Sequence, residues 1–73
     1  MKRANVNSPV FESIGYDLER QILEVQLRDD GKPVWRYRNI PMPVFRALMW
    51  TASKGRYFVR KIKGRYPKEL VSG

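Results

Sequence analysis

The residues of this sequence that could do chemistry are mostly cations, and they gather in its second half. Half of the positions between residues 54 and 65 are basic: Lys54, Arg56, Arg60, Lys61, Lys63 and Arg65. No acid lies between Asp30 and Glu69 to pair with them. Because lysine and arginine neutralise phosphates, such a run is typical of a surface that binds a polyanion.

The charge imbalance extends over the whole chain of 73 residues, which carries a formal net charge of +8. Residues 1–31 sum to −2, whereas residues 32–73 sum to +10. Such clustering costs self-repulsion in the folded state, which a polyanionic partner would relieve. A charged helix face that serves only solubility is the alternative, and the sequence leaves it open.

The carboxylates and nucleophiles do not form a recognisable catalytic set. Histidine and cysteine are both absent, which removes the usual general base and any thiolate ligand. Asp29 and Asp30 are adjacent, but two aspartates before Gly31 are typical of a turn. We therefore predict that the protein is not an enzyme and uses no cofactor or metal.

The aromatic residues have two interpretations. Tyr16, Trp35 and Tyr37 could stack nucleobases on an open sheet, but we favour the core, since a chain this short needs them as a packing layer. Tyr57 lies among the cations, where a stacked base would sit beside neutralised phosphates. Trp50 lies off the apolar helix stripe, and either exposure at an interface or packing on a second helix fits it.

The alternation of apolar and polar residues predicts three strands. Val10, Ile14 and Tyr16 share one parity, which indicates a strand over residues 10–17, and residues 23–27 and 34–38 alternate in the same way. Matching the apolar faces of the second and third strands places Leu27 opposite Trp35 and Val25 opposite Tyr37. It also places Glu24 opposite Arg38 and leaves a loop over residues 30–32, with Gly31 or its neighbour in the left-handed conformation.

Helical spacing follows the strands. Pro43 suits a first helical turn, and Phe45, Leu48, Met49 and Ala52 form the stripe of a helix near residues 43–52. Phe58, Val59 and Ile62 predict the buried side of a second helix over residues 54–65. In that helix Arg56, Arg60 and Lys63 share one face.

The predicted fold is α+β, a three-stranded antiparallel meander followed by two helices, in the order β-β-β-α-α. We expect one domain over residues 10–66, with flexible tails at 1–9 and 67–73. We expect no membrane span, because no apolar run approaches about 18 residues, and no secretory signal, because the basic start lacks an apolar stretch behind it. The absence of cysteine fits the cytoplasm, and we expect a monomer.

Several short motifs occur in the order found in one known family. These are Ser13-Ile14-Gly15-Tyr16-Asp17, Leu23-Glu24-Val25, Trp35-Arg36-Tyr37, Ile40-Pro41 and the segment from Ala52 to Phe58, with Ile62 after it. Over residues 8–66 the chain resembles the KTSC domain, found at the C-terminus of some lysyl-tRNA synthetases and as a stand-alone bacterial or phage protein. The central Tyr-x-Tyr of that family begins here with Trp35, so any role of the first hydroxyl is lost. The resemblance implies RNA as the expected ligand.

The sequence therefore predicts a small non-catalytic module that binds nucleic acid, RNA rather than DNA, through phosphates and with weak sequence preference. The predicted contact residues are Arg36, Arg38, Lys54, Arg56, Tyr57, Arg60, Lys61, Lys63 and Arg65. For Arg36 and Arg38, a salt bridge to Glu24 is an equal alternative. The alternative function is a protein-interaction module that uses exposed aromatic and basic residues to bind an acidic protein partner.

Overall fold

The computed structural model of the protein describes residues 1–72, which form an antiparallel sheet with two helices on one face. The elements are β1 (Ala4–Asn5), β2 (Phe11–Asp17), β3 (Ile22–Leu27), β4 (Val34–Tyr37), α1 (Met42–Trp50), α2 (Lys54–Lys61) and β5 (Lys68–Ser72). The strands lie in the sheet in chain order, and all neighbours are antiparallel. The α+β class with two helices is confirmed, but the sheet has five strands and not three.

The two additional strands lie in the segments for which the sequence predicts tails, and that expectation is corrected. Ala4 pairs with Ile14 at one edge of the sheet, and residues 68–72 pair with β4 at the other edge. Every residue of β1 and β5 is exposed. Neither strand therefore shows the alternation of apolar and polar residues by which a half-buried strand is predicted from sequence.

An irregularity in β2 overturns the predicted parity of the first strand. The register shifts between Phe11 and Ser13, so Phe11 and Ile14 are both buried although they are three residues apart. A β-bulge changes which residues face the core beyond it. Val10, expected on the core side with Ile14, is 40% exposed.

The faces of β3 and β4 are predicted correctly, but their register is wrong by two residues. Val25 pairs with Trp35, and Glu24 pairs with Arg36 rather than Arg38. The ladder ends where the Leu27 N–H donates to the Pro33 carbonyl at 2.9 Å, while the Arg28 N–H donates to the Val10 carbonyl on the other side of β3. The β3–β4 loop is consequently longer than predicted, with both Gly31 and Lys32 at positive φ.

Both helices end earlier than predicted. Leu48, Phe58 and Ile62 are fully or almost fully buried, as their spacing predicts. Val59, which the sequence places in the same stripe, is instead 60% exposed. The reason is that Phe58 and Ile62 define the centre of the buried side, and Val59 lies about 100° around the helix from Phe58.

Aromatic side chains join the helices to the sheet. Phe58 packs edge-on against both Phe11 and Tyr37, with ring centroids 5.2 Å apart in each pair. Tyr16 stacks on Phe45 at 4.5 Å. Tyr37 is buried, while Tyr16 and Trp35 are half-buried against the core, which confirms the favoured interpretation of the strand aromatics. Across residues 1–72, neither helix has the length and apolarity to cross a membrane.

Candidate functional site

The basic surface is built by α2 and the turn that follows it. Because Phe58 faces the core, the positions two residues before and after it point away from the sheet. Arg56 and Arg60 occupy these positions and are exposed, and Lys61, Lys63 and Arg65 are exposed as well. The short amphipathic helix thus fixes its cations on the solvent side by burying Phe58 and Ile62.

An open groove of about 630 Å³ runs along one flank of α2, between the helix and the ends of β2 and β3. We call it the α2 groove. Its apolar residues include Val10, Leu27, Phe58 and Val59, and its cations are Lys54, Arg56, Arg60 and Lys63. The groove therefore combines apolar surface with a positively charged rim.

Gly55 allows the first turn of α2 to approach the wall of this groove. A Cβ atom at this position would lie 2.7 Å from Cγ2 of Val10, closer than side chains pack. The absence of a side chain at Gly55 therefore sets how near the helix lies to Val10.

A smaller hollow of about 360 Å³ lies on the other flank of α2. It is lined by Arg56, Arg60, Lys61, the half-buried Tyr57 and the junction residues 51–53. Arg56 and Arg60 line both depressions, so they form a ridge between them. Tyr57 packs against the core and also borders the hollow.

The ion pairs of the protein leave the α2 cations unneutralised. Within residues 1–72 every salt bridge uses a cation at or before position 36: Arg3, Arg20, Arg28, Lys32 or Arg36. In the same range none of the six cations between residues 54 and 65 has a carboxylate within 4.0 Å. These charges are available to an external anion.

Two of the predicted contact residues also cap helices. Lys54 donates from Nζ to the carbonyls of Met49 and Thr51, at 3.0 and 3.2 Å, at the end of α1. Arg65 donates from Nε to the carbonyl of Arg60 at 2.8 Å, at the end of α2. Cations at helix C-termini donate to free carbonyls and interact favourably with the negative end of the helix dipole. Both side chains are thereby held in place.

Arg36 is not part of the α2 surface. It lies on the opposite sheet face, where its Nη2 and Nε donate to Glu24 Oε2 at 2.7 and 3.1 Å. Of the two alternatives for this residue, the structure shows the salt bridge. The predicted pairing of Arg38 with Glu24 is wrong, because the register places Arg36 there. Arg38 follows β4, is exposed and does not line the α2 groove.

Glu24 is buried beneath Arg36 and Arg3, both of which bond to its carboxylate. Burial alone would raise the pKa of Glu24. The hydrogen bonds and charges of Arg36 and Arg3 outweigh burial and hold that pKa below its ordinary value. Glu24 is thus neutralised on the sheet face opposite α2.

The family model of the KTSC domain matches residues 7–66. The chain belongs to the KTSC domain family. An uncharacterised protein of Stutzerimonas stutzeri is 38% identical over 66 residues, which cover 90% of each chain. The crystal structure of a KTSC domain protein from Yersinia pestis is 34% identical, covers 97% of both chains and superposes with a TM-score of 0.90.

Sequence reasoning missed the part of the site in this KTSC domain that comes from distant segments. Val10 and Leu27 line the groove only once the sheet has formed, so no local sequence pattern predicts their position there. The exposure of Val59 could have been found by centring the stripe on Phe58 and Ile62. Lys68 lies in the segment predicted as a tail, and β5 places its Nζ 4.7 Å from the centroid of the Trp35 ring.

The exposed side of α1 settles the alternatives for Trp50. Its side chain is 90% exposed and does not pack on the second helix. It lines a shallow apolar depression together with Met42, Pro43, Arg46 and Ala47. This KTSC domain therefore presents an exposed tryptophan in an apolar depression on α1 in addition to the cations of α2.

Proposed function

We propose that this KTSC domain is a non-catalytic module that binds single-stranded nucleic acid, RNA in preference to DNA, through phosphate contacts. The observation that carries the proposal is the group of six cations on α2 and the following turn, none of which has a carboxylate partner within residues 1–72. The preference for RNA rests on the resemblance to synthetase-linked domains. Lysine and arginine contacts to phosphates carry no sequence information, so the general preference is weak.

The ridge of Arg56 and Arg60 is the centre of the proposed contact surface. Lys61 extends it into the smaller hollow, and Lys63 into the α2 groove. Lys54 and Arg65 add charge from fixed positions, and Arg38 remains a predicted peripheral contact. Arg36 is left out of the proposed set because Glu24 already neutralises it.

The first test is the salt dependence of RNA binding. If about five phosphates are neutralised on a single strand, the logarithm of the affinity falls by about 3.5 for each decade of salt. Fluorescence anisotropy with a labelled oligouridine, measured over a series of NaCl concentrations, gives this slope directly. A slope near zero, or no binding at low salt, contradicts the proposal.

A pair of charge-matched variants locates the surface. Arg60→Ala combined with Lys63→Ala removes two proposed contacts, so the slope should fall by about 1.4 and the affinity should fall for every sequence. Lys2→Ala combined with Arg20→Ala removes the same charge from exposed residues outside both depressions. This control should bind nearly as well as the wild type. Equal losses in the two variants would show that net charge, and not the α2 surface, drives binding.

The exposure of Trp50 favours a second candidate function, binding of an acidic protein through the outer side of α1. Trp35→Phe leaves Trp50 as the sole tryptophan and makes its fluorescence a direct reporter. A blue shift with polyglutamate and none with oligouridine would favour this second function. The absence of a shift with polyglutamate would contradict this second function.

A further inference from the structure

The α2 groove contains more apolar surface than phosphate binding requires. Val10 and Val59 line it and are 40% and 60% exposed, although both are large aliphatic residues. Its volume of about 630 Å³ falls in the range of about 300–1,000 Å³ that small-molecule sites occupy. A planar base would cover this apolar surface while its flanking phosphates stay at the cationic rim.

One acidic residue, Asp29, also lines the groove. Within residues 1–72 its side chain forms neither a hydrogen bond nor a salt bridge, although four cations line the same groove. The Asp29 carbonyl accepts the Lys32 N–H at 2.8 Å, which fixes the turn that carries the side chain. An acid here weakens phosphate binding, so its favourable contact in a nucleic-acid strand is a hydrogen-bond donor on a base.

The chemistry of a carboxylate distinguishes among the four bases. Its two oxygens accept two hydrogen bonds side by side. On the Watson–Crick edge, which unpaired RNA bases expose, guanine offers adjacent donors, N1–H and the 2-amino group. Adenine, cytosine and uracil each place an acceptor beside their donor, and that acceptor would face the negative carboxylate.

We propose that the α2 groove binds one guanine base of single-stranded RNA, with Asp29 accepting hydrogen bonds from N1–H and the 2-amino group. Arg56 and Arg60 contact the flanking phosphates. This inference rests on the proposed function and adds one base-specific position to an otherwise weak sequence preference.

The test compares short oligouridines that differ only at one central nucleotide, which is guanosine, adenosine or inosine. The wild type should bind the guanosine oligomer about tenfold more tightly than the adenosine oligomer. Inosine keeps N1–H and lacks the 2-amino group, so its oligomer should bind about threefold more weakly than the guanosine one.

Asp29→Asn preserves the side-chain shape and removes the double acceptor, so the preference for guanosine over adenosine should fall to about twofold or less. Asp30→Asn is the matched control: it removes the same charge from the next residue, which does not line the groove. It should raise affinity for all three oligomers alike and keep the tenfold preference. Circular dichroism of both variants should match the wild type, since both positions are exposed.

The outcomes separate this inference from the proposed function. The guanine site would be overturned, and phosphate binding left intact, if the wild type bound the three oligomers equally and with a steep salt dependence. A preference for guanosine that survives Asp29→Asn would have the same consequence. No binding of any oligomer at low salt would overturn both. Loss of the preference in Asp29→Asn alone is the expected result.

Discussion

At the scale of single residues, Glu24 stabilises the fold through ion pairs with two arginines. The carboxylate is buried on the outer sheet face and bonded to Arg3 and Arg36. Both arginines remain partly exposed, so removing the carboxylate would leave them able to reach water. These two ion pairs therefore stabilise the fold, and breaking them by removing the carboxylate leaves no fully buried charge.

We expect Glu24→Gln to lower the free energy of unfolding at pH 7 by about 1–2 kcal/mol, because hydrogen bonds to a charged group are lost. The pKa of Glu24 is depressed in the folded state, so its contribution is complete above the unfolded pKa of about 4.3 and declines as pH falls through the folded pKa. Urea unfolding at neutral and acidic pH measures the difference, which should shrink in acid.

Glu19→Gln is the control for this prediction. Glu19 is exposed and has no ion pair within residues 1–72, so its replacement should change the free energy of unfolding by less than about 0.5 kcal/mol. A Glu24→Gln deficit that stays constant from neutral pH into acid would show that the lost contacts do not depend on ionisation.

At the scale of elements, β1 depends on a close approach to Gly15. A Cβ atom at Gly15 would lie 2.3 Å from the carbonyl oxygen of Lys2, which belongs to the backbone and cannot rotate away. Arg3, which bonds to Glu24 and Ser13, follows directly. Gly15 therefore lets the backbone of Lys2 pass close to β2, which leaves Arg3 in position to bond to Glu24.

We expect Gly15→Ala to displace β1 and lower the free energy of unfolding by about 1–3 kcal/mol, the usual cost of inserting a methyl group into a packed site. Deleting residues 1–5 removes the atom with which the methyl group collides. In that shortened chain Gly15→Ala should cost less than about 0.5 kcal/mol, as urea unfolding of the four proteins would show. An unchanged cost in the shortened chain would place the strain elsewhere in β2.

Local patterns predicted those elements that bury one face. Leu23, Val25 and Tyr37 reveal their faces by alternation, and Phe58 and Ile62 reveal theirs by helical spacing. Register is different, because pairings that differ by two residues bury the same faces, and alternation alone does not choose between them. The exposed edge strands carry no burial pattern, so the sequence predicted tails there.

The same distinction explains what could be predicted of the site. Cations such as Arg60 and Lys63 are visible in the sequence because their charge is a property of single residues. The groove walls are not visible, since Val10 and Leu27 approach α2 only after the sheet has formed. For Arg36 the sequence leaves the basic surface and a salt bridge to Glu24 equally open, because strand parity alone does not show which cation will face that acid.

At the scale of the whole molecule, charge is divided between the two sides of the fold. The acids that form salt bridges, Glu12, Asp17 and Glu24, lie in the first two long strands and pair with cations up to position 36. The cations of α2 face solvent on the helix side. Six cations without a carboxylate partner within residues 1–72 therefore share the surface of α2 and the turn after it, where mutual repulsion opposes folding.

This distribution predicts that salt stabilises the free protein. The molecule measures 29 × 26 × 23 Å, so at about 10 mM salt, where the Debye length is about 30 Å, each α2 cation repels the others with little screening. At about 150 mM that length falls to about 8 Å. Relief of about 1 kcal/mol of repulsion would raise Tm by about 4–8 °C in a domain of this size.

The charge-matched variants show whether the repulsion is concentrated at α2. Thermal unfolding followed by circular dichroism should give Arg60→Ala/Lys63→Ala a higher Tm than Lys2→Ala/Arg20→Ala at low salt, and a smaller rise with added NaCl. Arg20 lies 4.0 Å from Asp17, so its removal relieves little repulsion. If Tm fell with salt, or if the two variants behaved alike, the ion pairs of the sheet side would outweigh the repulsion at α2. Repulsion among the α2 cations would then have no detectable effect on the stability of the protein.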